Sequence, residues 1–486
     1  MRWASAAVAL AGAKSFVVAL DPVSVVGNKF FNKDGSQFFI KGVAYQLVPQ
    51  DPLIDTAQCK RDASLMSELG ANTIRVYHVN ATADHDGCMK AFDDAGIYVL
   101  ADLDTFDTYI LPVRTLCLSS EWVDNNYWDK DKFQSYAAVM DTFQKYDNIL
   151  GFFIGNENIA TKDDSPTAPY LKAAARDMKA YRDAQGYREI PVGYSAADIL
   201  ELRPALQDYL TCGGNSSEIV DFFSLNSYSW CDPSTYVGST YNMLEEYAKD
   251  FPVPIFFSET GCIIPGPRVW DDQDAVFGPK MVNDWSGSIV YEWIQEENSY
   301  GIITYGPPNQ PAGPNVEGGF LRKGTPQPKS PDFPNLKSKW ATISPSGVHK
   351  SAYDPDSVST RACPKSSAGS WWEVDGDVKL PTLGQVLAVS PKATTTLLST
   401  DTSTPTDSFT AVVTTETVTD SSGSVVTSMM TITAPPSTAT DGSGSSTTSG
   451  ASAATTTSKK GASTVNRPTV FGAGLVSAIL AFAILL

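Results

Sequence analysis

The chain has 486 residues, of which 42% are hydrophobic and 19% are charged, so it can bury a large core and is not disordered throughout. Its 36 Lys and Arg stand against 54 Asp and Glu, and the resulting net charge of -18 would repel the phosphate backbone of a nucleic acid. We therefore expect no nucleic-acid partner.

The amino-terminal segment, residues 1–19, is typical of a secretory signal. It begins with Met1-Arg2 and an apolar stretch, and it ends on Val-Val-Ala, the small residues that a signal peptidase prefers. We expect this segment to be removed. The alternative interpretation is a buried first helix.

Between residues 20 and 390, short apolar segments of the β type alternate with longer segments typical of helices, such as 130–146 and 170–184. The eight strand candidates are 38–45, 72–78, 97–104, 149–156, 190–195, 221–230, 254–259 and 288–294. Eight β-α repeats whose strands are apolar on both faces predict an α/β fold, the (β/α)8 TIM barrel, over residues 20–345. A doubly wound open sheet is the alternative, but it would need a glycine-rich phosphate loop that we do not find.

Two carboxylates stand where predicted strands end. The fourth strand runs into Asn156-Glu157-Asn158, and the seventh ends on Ser258-Glu259-Thr260. Active sites of such barrels lie at the carboxyl ends of the strands. A pair of facing carboxyl groups, one protonated and one ionised, is the minimal equipment for cleaving a glycosidic bond. One strand-end Glu alone would equally be an ordinary solvated residue, but the pair predicts a glycosidase-type site.

The cysteines and histidines argue against a metal or other cofactor. The seven Cys are scattered without a C-x-x-C pair, and the chain has only three His, so we expect no metal site and no cofactor. Seven Cys suit an oxidising compartment and leave one thiol unpaired. Asn80 and Asn215 begin N-glycosylation sequons, which agrees with secretion.

The carboxyl-terminal part resembles a stalk followed by an anchor signal. About half of residues 393–464 are Ser or Thr, so this segment predicts a disordered, O-glycosylated stalk, with an unglycosylated linker as the alternative. Residues 465–486 form an apolar tail preceded by small residues, which predicts replacement by a glycosylphosphatidylinositol (GPI) anchor. A single membrane-spanning helix is the alternative.

Four segments in this order resemble fungal cell-wall β-1,3-glucanosyltransferases of glycoside hydrolase family 72. They are F-F-I-K-G-V-A-Y-Q at 38–46, G-N-E-N at 155–158, Y-S-W-C at 228–231 and F-F-S-E at 256–259. The resemblance covers about residues 23–363, and the signal, stalk and tail match the family's usual layout.

The resemblance implies a retaining mechanism in which Glu157 is the acid/base and Glu259 is the nucleophile. It also implies that Asn156 bonds the sugar 2-hydroxyl. The other implied substrate contacts are Gln46, Tyr77, Asp102, Tyr228 and Tyr291. Each has an ordinary packing or hydrogen-bonding role in the core as its alternative. We interpret His78 as a structural neighbour of Tyr77.

The family's disulfide pattern, carried onto this chain, leaves Cys117 over and pairs Cys59 with Cys88, Cys212 with Cys363, and Cys231 with Cys262. Residues 346–392, which contain Cys363, are then expected to close the barrel. The resemblance implies an aromatic residue where Thr260 stands, so we expect an altered sugar-facing platform there. No Cys follows Cys363, so the cysteine-rich sugar-binding module of some family members is expected to be absent.

The function implied by the resemblance is a β-1,3-glucanosyltransferase. It would cleave internal β-1,3-glucan linkages and transfer the new reducing end to another glucan chain. We expect a monomer outside the cell, held by its GPI anchor to the plasma membrane or the wall, with glucan donor and acceptor as partners. The alternatives are a retaining endo-β-1,3-glucanase, in which water takes the place of the acceptor, and a non-catalytic GPI-anchored wall mannoprotein.

Overall fold

The structure, a computed structural model, describes residues 19–47, 51–105, 107–111, 127–358 and 360–387, and the backbone of 413–419 and 425–431. Residues 1–18 of the predicted signal, Cys117 and the predicted anchor tail lie outside the described residues. By its internal contacts the chain divides into two units, Met1–Val389 and Ser390–Leu486.

A small antiparallel sheet precedes the barrel. Its strands are β1 (Ser24–Val26), β2 (Lys29–Phe31) and β3 (Gln37–Phe38). The sequence prediction missed β1 and β2 and joined β3 to the first barrel strand as 38–45. Phe30 of this sheet packs against Phe222 and Phe256 inside the barrel, with ring centroids 6.4 and 6.1 Å apart. The sheet therefore closes the amino-terminal end of the barrel.

Eight parallel strands close into a barrel, which confirms the predicted fold class. They are β4 (Ile40–Ala44), β5 (Thr73–Val76), β6 (Tyr98–Asp102), β7 (Ile149–Asn156), β8 (Val192–Ala197), β9 (Phe222–Asn226), β10 (Ile255–Thr260) and β11 (Trp285–Val290). Strands that follow one another in the chain are neighbours, and β11 returns to pair with β4. All eight predicted segments overlap these strands. The last one is displaced, because 288–294 includes residues that lie beyond the end of β11.

Helices cover the outside of the barrel. They are α1 (Thr56–Leu69), α2 (Asp86–Asp94), α3 (Lys130–Phe143), α4 (Ala168–Ala184), α5 (Arg203–Thr211), α6 (Tyr241–Ala248), α7 (Asp271–Val276) and α8 (Asp332–Thr342). The predicted helices 130–146 and 170–184 correspond to α3 and α4. Asp55 and Asp129 begin α1 and α3 by accepting a hydrogen bond from the first turn, as N-cap residues do.

Two apolar clusters hold the barrel together. The larger lies between the strands and the helices, and the smaller fills the barrel interior with side chains such as Leu100, Phe153, Phe222 and Ile289. Because each strand is buried on both faces, it is apolar along its whole length, and this is why apolar segments sufficed to locate the strands. In the described part of the chain, no helix is long and apolar enough to cross a bilayer.

Short strands follow the barrel. They form two antiparallel pairs, β12 (Ile303–Thr304) with β15 (Gln327–Pro328) and β13 (Val316–Glu317) with β14 (Phe320–Leu321). In the second unit, β16 (Val413–Thr419) and β17 (Val425–Thr431) form a hairpin. This hairpin lies in the segment for which we expected no secondary structure. Both strands are rich in Val and Thr, the β-branched residues that favour strands.

The extension that follows α8 runs along the outside of the barrel. It contacts in turn β2, the end of α6, α5 and α4, through Tyr353, Arg361, Trp372 and Leu387. The structure joins Cys212 at the end of α5 to Cys363 of this extension, and it also contains the pairs Cys59–Cys88 and Cys231–Cys262. The extension is therefore fixed to the barrel by a covalent bond as well as by packing.

Candidate active site

Glu157 leaves the end of β7 in a sharp turn. Its φ of 52° lies in the left-handed region, and its backbone N–H donates to the carbonyl of Ser195 at 2.9 Å. The Asn158 side chain packs closely over the glycine before the turn, since a Cβ on Gly155 would lie 2.3 Å from Oδ1 of Asn158. The Glu157 carboxylate accepts a hydrogen bond from Nδ2 of Asn226, at the end of β9, at 2.9 Å. This contact places the carboxyl group at the mouth of the barrel.

Glu259 lies near the end of β10, and each of its carboxylate oxygens accepts a hydrogen bond from a tyrosine hydroxyl. Tyr77 donates to Oε1 at 2.9 Å, and Tyr228 donates to Oε2 at 2.7 Å. Nη1 of Arg75 lies 3.6 Å from Oε1. Two donors and a cation therefore surround Glu259, whereas a single amide donor reaches Glu157 among the hydrogen bonds of the described residues.

Arg75, in β5, is the fully buried cation beneath the site. Its Nε and Nη2 donate to the two carboxylate oxygens of Asp102, at 3.2 and 2.9 Å. Nη2 also donates to Oδ1 of Asn156 at 3.0 Å, and Nη1 donates to Oγ of Ser195 at 3.1 Å. Since both oxygens of Asp102 are engaged and its side chain is only 2% exposed, this residue is placed to orient Arg75.

Asn226 connects the acid side of the site to this network. Its Nδ2 donates to Oδ1 of Asn156 at 3.0 Å as well as to Glu157, and its Oδ1 accepts from Ser195 and Ser258 at 3.0 and 2.8 Å. Both contacts to Asn156 engage its amide oxygen. The NH2 group of Asn156 is thereby oriented as a donor for a ligand.

The two carboxyl groups differ in how their charge is stabilised. Burial, reinforced by the charge of Glu259, raises the pKa of Glu157 to about 7, while Asn226 and Arg75 oppose the rise. Burial also raises the pKa of Glu259, but Arg75 and the two tyrosine hydroxyls favour its ionised form. Glu157 is thus the carboxyl group that holds a proton near neutral pH.

Four tyrosines surround Glu259. Burial raises the pKa values of Tyr77 and Tyr228 well above their usual range, so both remain protonated donors. The ring of Tyr228 meets those of Tyr291 and Tyr300 edge-on, at 6.3 and 5.3 Å between centroids. The sequence prediction had Tyr77, Tyr228 and Tyr291 but missed Tyr300.

Gln46 and His78 lie beside Tyr77. Oε1 of Gln46 accepts from the backbone N–H of Tyr77 at 3.3 Å, which places this side chain at the same end of the barrel as the carboxylates. Burial lowers the pKa of His78 to about 4, so its ring is neutral, and it meets Tyr109 edge-on at 6.3 Å. The interpretation of His78 as a structural neighbour agrees with this setting.

The expectation that the position of Thr260 faces the sugar was wrong. Its side chain is buried and donates to Asp272 of α7 at 3.1 Å, so this position faces a helix and not the cleft. The register between β10 and β9 shifts between Phe257 and Glu259, and a shift of this kind changes the face on which the following side chains lie. The residue after the nucleophile candidate therefore supplies no sugar platform.

The structure brings every predicted site residue to one end of the barrel. The sequence prediction missed Arg75, Ser195, Asn226, Ser258 and Tyr300. Polar residues at strand ends were the available signal for Asn226 and Ser258, whereas nothing in the local sequence marks Arg75 or Tyr300. Among the described residues, no group of three or more His, Cys, Asp or Glu could hold a metal ion.

Comparison with known proteins gives one consistent result. The family model described as Glucanosyltransferase, of glycoside hydrolase family 72, matches residues 13–315. The 1,3-beta-glucanosyltransferase gas2 of Schizosaccharomyces pombe is 38% identical, over 74% of this chain and 76% of that protein. Protein EPD1 of Candida maltosa is 39% identical, over 74% of this chain but only 61% of its own length. The chain thus spans less than two thirds of some of the relatives it matches.

Solved structures agree with this result. A structure of Saccharomyces cerevisiae Gas2p, a Glu-to-Gln mutant in complex with laminaritetraose and laminaripentaose, is 35% identical and matches with a TM-score of 0.63. The match covers 74% of each chain. The chain therefore belongs to the glucanosyltransferases of glycoside hydrolase family 72.

Proposed function

We propose that this protein is a retaining β-1,3-glucanosyltransferase that cleaves internal linkages of a β-1,3-glucan and transfers the new reducing end to another glucan chain. One observation carries the proposal. Two carboxyl groups lie at the mouth of the barrel, Glu157 with a raised pKa and Glu259 between two phenolic donors and a guanidinium. The names of the relatives and the laminari-oligosaccharides bound to Gas2p support β-1,3-glucan as the substrate.

In the first step, the Glu259 carboxylate attacks the anomeric carbon and forms a glycosyl ester. The bond from that carbon to the bridging oxygen breaks, and Glu157 gives its proton to the leaving oxygen. Glu157 suits this role because burial keeps it protonated near pH 7. Glu259 suits the other role, because Tyr77, Tyr228 and Arg75 stabilise its carboxylate.

In the second step, the ionised Glu157 takes a proton from an acceptor hydroxyl, and the hydroxyl oxygen attacks the anomeric carbon. The ester bond breaks and Glu259 leaves as a carboxylate. The charge of Glu259 is one cause of the raised pKa of Glu157. Because the ester carries no charge, the pKa of Glu157 falls once the ester has formed. Glu157 is therefore ionised more readily in the second step, where it must act as a base.

The remaining predicted residues are assigned to binding and orientation. We assign Asn156 to the 2-hydroxyl of the sugar, because its amide oxygen is held by Arg75 and Asn226 and its NH2 group faces away from them. Tyr291 and Gln46 are assigned to the wall of the cleft. Asp102 is assigned to orienting Arg75, because both of its carboxylate oxygens accept from that side chain, and not mainly to a direct sugar contact.

We infer that the protein acts outside the cell. Three disulfides are characteristic of an oxidising compartment, and the family relationship points the same way. Anchoring through a glycolipid, monomeric state, and the division into signal, barrel, extension, stalk and tail stay predictions from the sequence. Release of the protein from membranes by a phosphatidylinositol-specific phospholipase would test the anchor.

Product analysis with a defined, reduced β-1,3-oligosaccharide tests the proposed activity. Transfer gives products longer than the donor, while hydrolysis gives only shorter ones. Proton NMR at early times should show the β configuration at every new anomeric centre, in a transferred linkage or in a hydrolysed reducing end, as a retaining mechanism requires. Shorter products alone, at acceptor concentrations well above the donor, would contradict transfer. Early α-anomers would contradict retention.

A further inference from the structure

Arg268 is a buried arginine that the catalytic scheme does not use. It lies in the segment between β10 and α7, and its residue is 2% exposed. Its guanidinium donates to backbone carbonyls beyond β11, from Nη1 to Tyr291 at 3.1 Å and from Nη2 to Tyr300 at 2.7 Å. One side chain therefore holds both ends of the segment 291–300.

The guanidinium is itself fixed in place. Nε and Nη2 donate to Oδ2 of Asp332, the first residue of α8, at 3.0 and 2.9 Å. The guanidinium carbon lies 4.4 Å from the ring centroid of Trp270, and Nδ2 of Asn335 donates to the Arg268 carbonyl at 2.8 Å. These contacts leave Arg268 little freedom, so the position of the two carbonyls is determined by α8 and its neighbours.

The segment 291–300 reaches the nucleophile candidate through aromatic packing. The rings of Tyr291 and Tyr300 lie 5.5 Å apart and both meet the ring of Tyr228 edge-on. The hydroxyl of Tyr228 donates to Oε2 of Glu259 at 2.7 Å. A continuous chain of contacts thus runs from Arg268 to the carboxylate.

We propose that Arg268, paired with Asp332, is a positioning residue that fixes the hydrogen bond from Tyr228 to Glu259 by holding the backbone of Tyr291 and Tyr300. The inference rests on the proposed function, because it needs Glu259 as the nucleophile. Arg268 makes no contact with Glu259 among the hydrogen bonds and ion pairs of the described residues and acts only through the tyrosines.

Loss of this positioning would change the pKa of Glu259, which also depends on the other groups that face it. They are Arg75, Tyr77, Asp102, Glu157, Tyr228, Tyr291 and Tyr300. On the segment itself, Glu292 and Glu296 both accept from Asn298, and Arg322 pairs with Glu296. Asp272 and Asp332 face Arg268. Among these groups, Tyr77, Tyr228 and Arg75 favour the ionised form of Glu259.

Weakening the contacts of Arg268 with the carbonyls of Tyr291 and Tyr300 should therefore raise the pKa of Glu259. The attack requires a carboxylate, so the acid limb of kcat/KM should move to higher pH when the Tyr228 hydroxyl is displaced. Partial loss of a hydrogen bond to a charged group predicts a displacement of roughly half a pH unit or more, with a threefold or larger fall in kcat/KM on the acid side.

Arg268→Lys is the main test, because lysine keeps the charge but cannot hold two carbonyls and a carboxylate in one plane. The assay is the pH profile of kcat/KM with an aryl β-glucoside donor that needs no acid catalysis. Arg182→Lys is the matched control. Arg182 is also buried and holds the Ile190 carbonyl and Asp221, but it lies before β8, at the opposite end of the barrel. The acid limb should move in Arg268→Lys and not in Arg182→Lys.

A double-mutant cycle separates positioning from a general loss of stability. In a Tyr228→Phe background the hydroxyl is already absent, so Arg268→Lys should move the acid limb no further. Asp332→Asn should reproduce the displacement in part and serves if Arg268→Lys does not fold. An unchanged acid limb in both variants, or additive effects with Tyr228→Phe, would overturn the inference. A wild-type enzyme that forms no glycosyl ester at Glu259 would instead refute the proposed function, and mass spectrometry after a 2-fluoro-glycoside detects that case.

Discussion

Glycosylation of Glu259 should lower the pKa of Glu157, because it removes a negative charge that helps to keep Glu157 protonated. In the free enzyme the pKa of Glu157 rises from 4.5 to about 7, with burial the larger cause and the charge of Glu259 the second. Two unit charges about 5.5 Å apart, as in retaining enzymes, interact by about 3 kcal/mol at an effective dielectric constant of 20, equivalent to about two pH units. Because burial remains in the ester, we expect a fall of between about one and two pH units.

The two steps of the reaction allow this change to be measured. For a β-1,3-oligosaccharide, kcat/KM reports the free enzyme and should fall above a pH of about 7 as Glu157 loses its proton. With an aryl donor that makes the second step limiting, kcat reports the ester and should rise through a lower pKa, between about 5 and 6. If the basic limb of the first measurement and the acid limb of the second coincide, the charge of Glu259 does not control Glu157 and the reasoning fails.

Three further results are expected. Glu157→Gln and Glu259→Gln should each reduce transfer by more than about a hundredfold without unfolding, and azide should rescue only Glu157→Gln with an activated donor; near-wild-type transfer by either variant would refute the assignment. Dialysis against a chelator should leave activity unchanged, whereas a loss restored by one divalent ion would contradict metal-free catalysis. A chain ending after about Ser390 should be secreted and active, whereas one ending after about residue 345 should unfold at lower temperature, because it loses Cys363 and the packing of Trp372 on Tyr209. Thermal unfolding followed by circular dichroism compares the two, and equal unfolding temperatures would argue against a stabilising role for the extension.

The barrel was predictable because its strands are buried on both faces. Apolar segments marked all eight strands, and the carboxylates followed from where those segments end. The boundaries failed where aromatic residues continue the pattern beyond the hydrogen-bonded strand, as after Val76 and after Asn226. A pattern of hydrophobicity records burial, and it does not record where strand pairing stops.

The residues that support the carboxylates were not predictable in the same way. Arg75 stands in the middle of a strand, and a charged residue in a strand ordinarily faces solvent. Here its side chain is fully buried, and it pairs with Asp102 and Glu259 from two other strands. Arg268 is likewise defined by carbonyls that are more than twenty residues away in the chain. Such roles arise from tertiary proximity, which a single sequence does not display. The orientation of the Thr260 side chain was predicted wrongly for a different reason. It follows from the register shift of β10 relative to β9, and that shift depends on how the two strands pair.

The pairing of β11 with β4 has a consequence for synthesis of the protein. The seam brings Gly287 against Ile40, so tightly that a Cβ on Gly287 would lie 2.2 Å from the Ile40 carbonyl oxygen. The ribosome must therefore finish β11 before the free edge of β4 can be paired, and Tyr300 is made later still. At usual rates of synthesis, the stretch from Glu157 to Tyr300 takes roughly 7 to 29 s to make. Throughout that interval the nascent chain has its acid but no completed nucleophile site, so the active site can assemble only after residue 300 has been made.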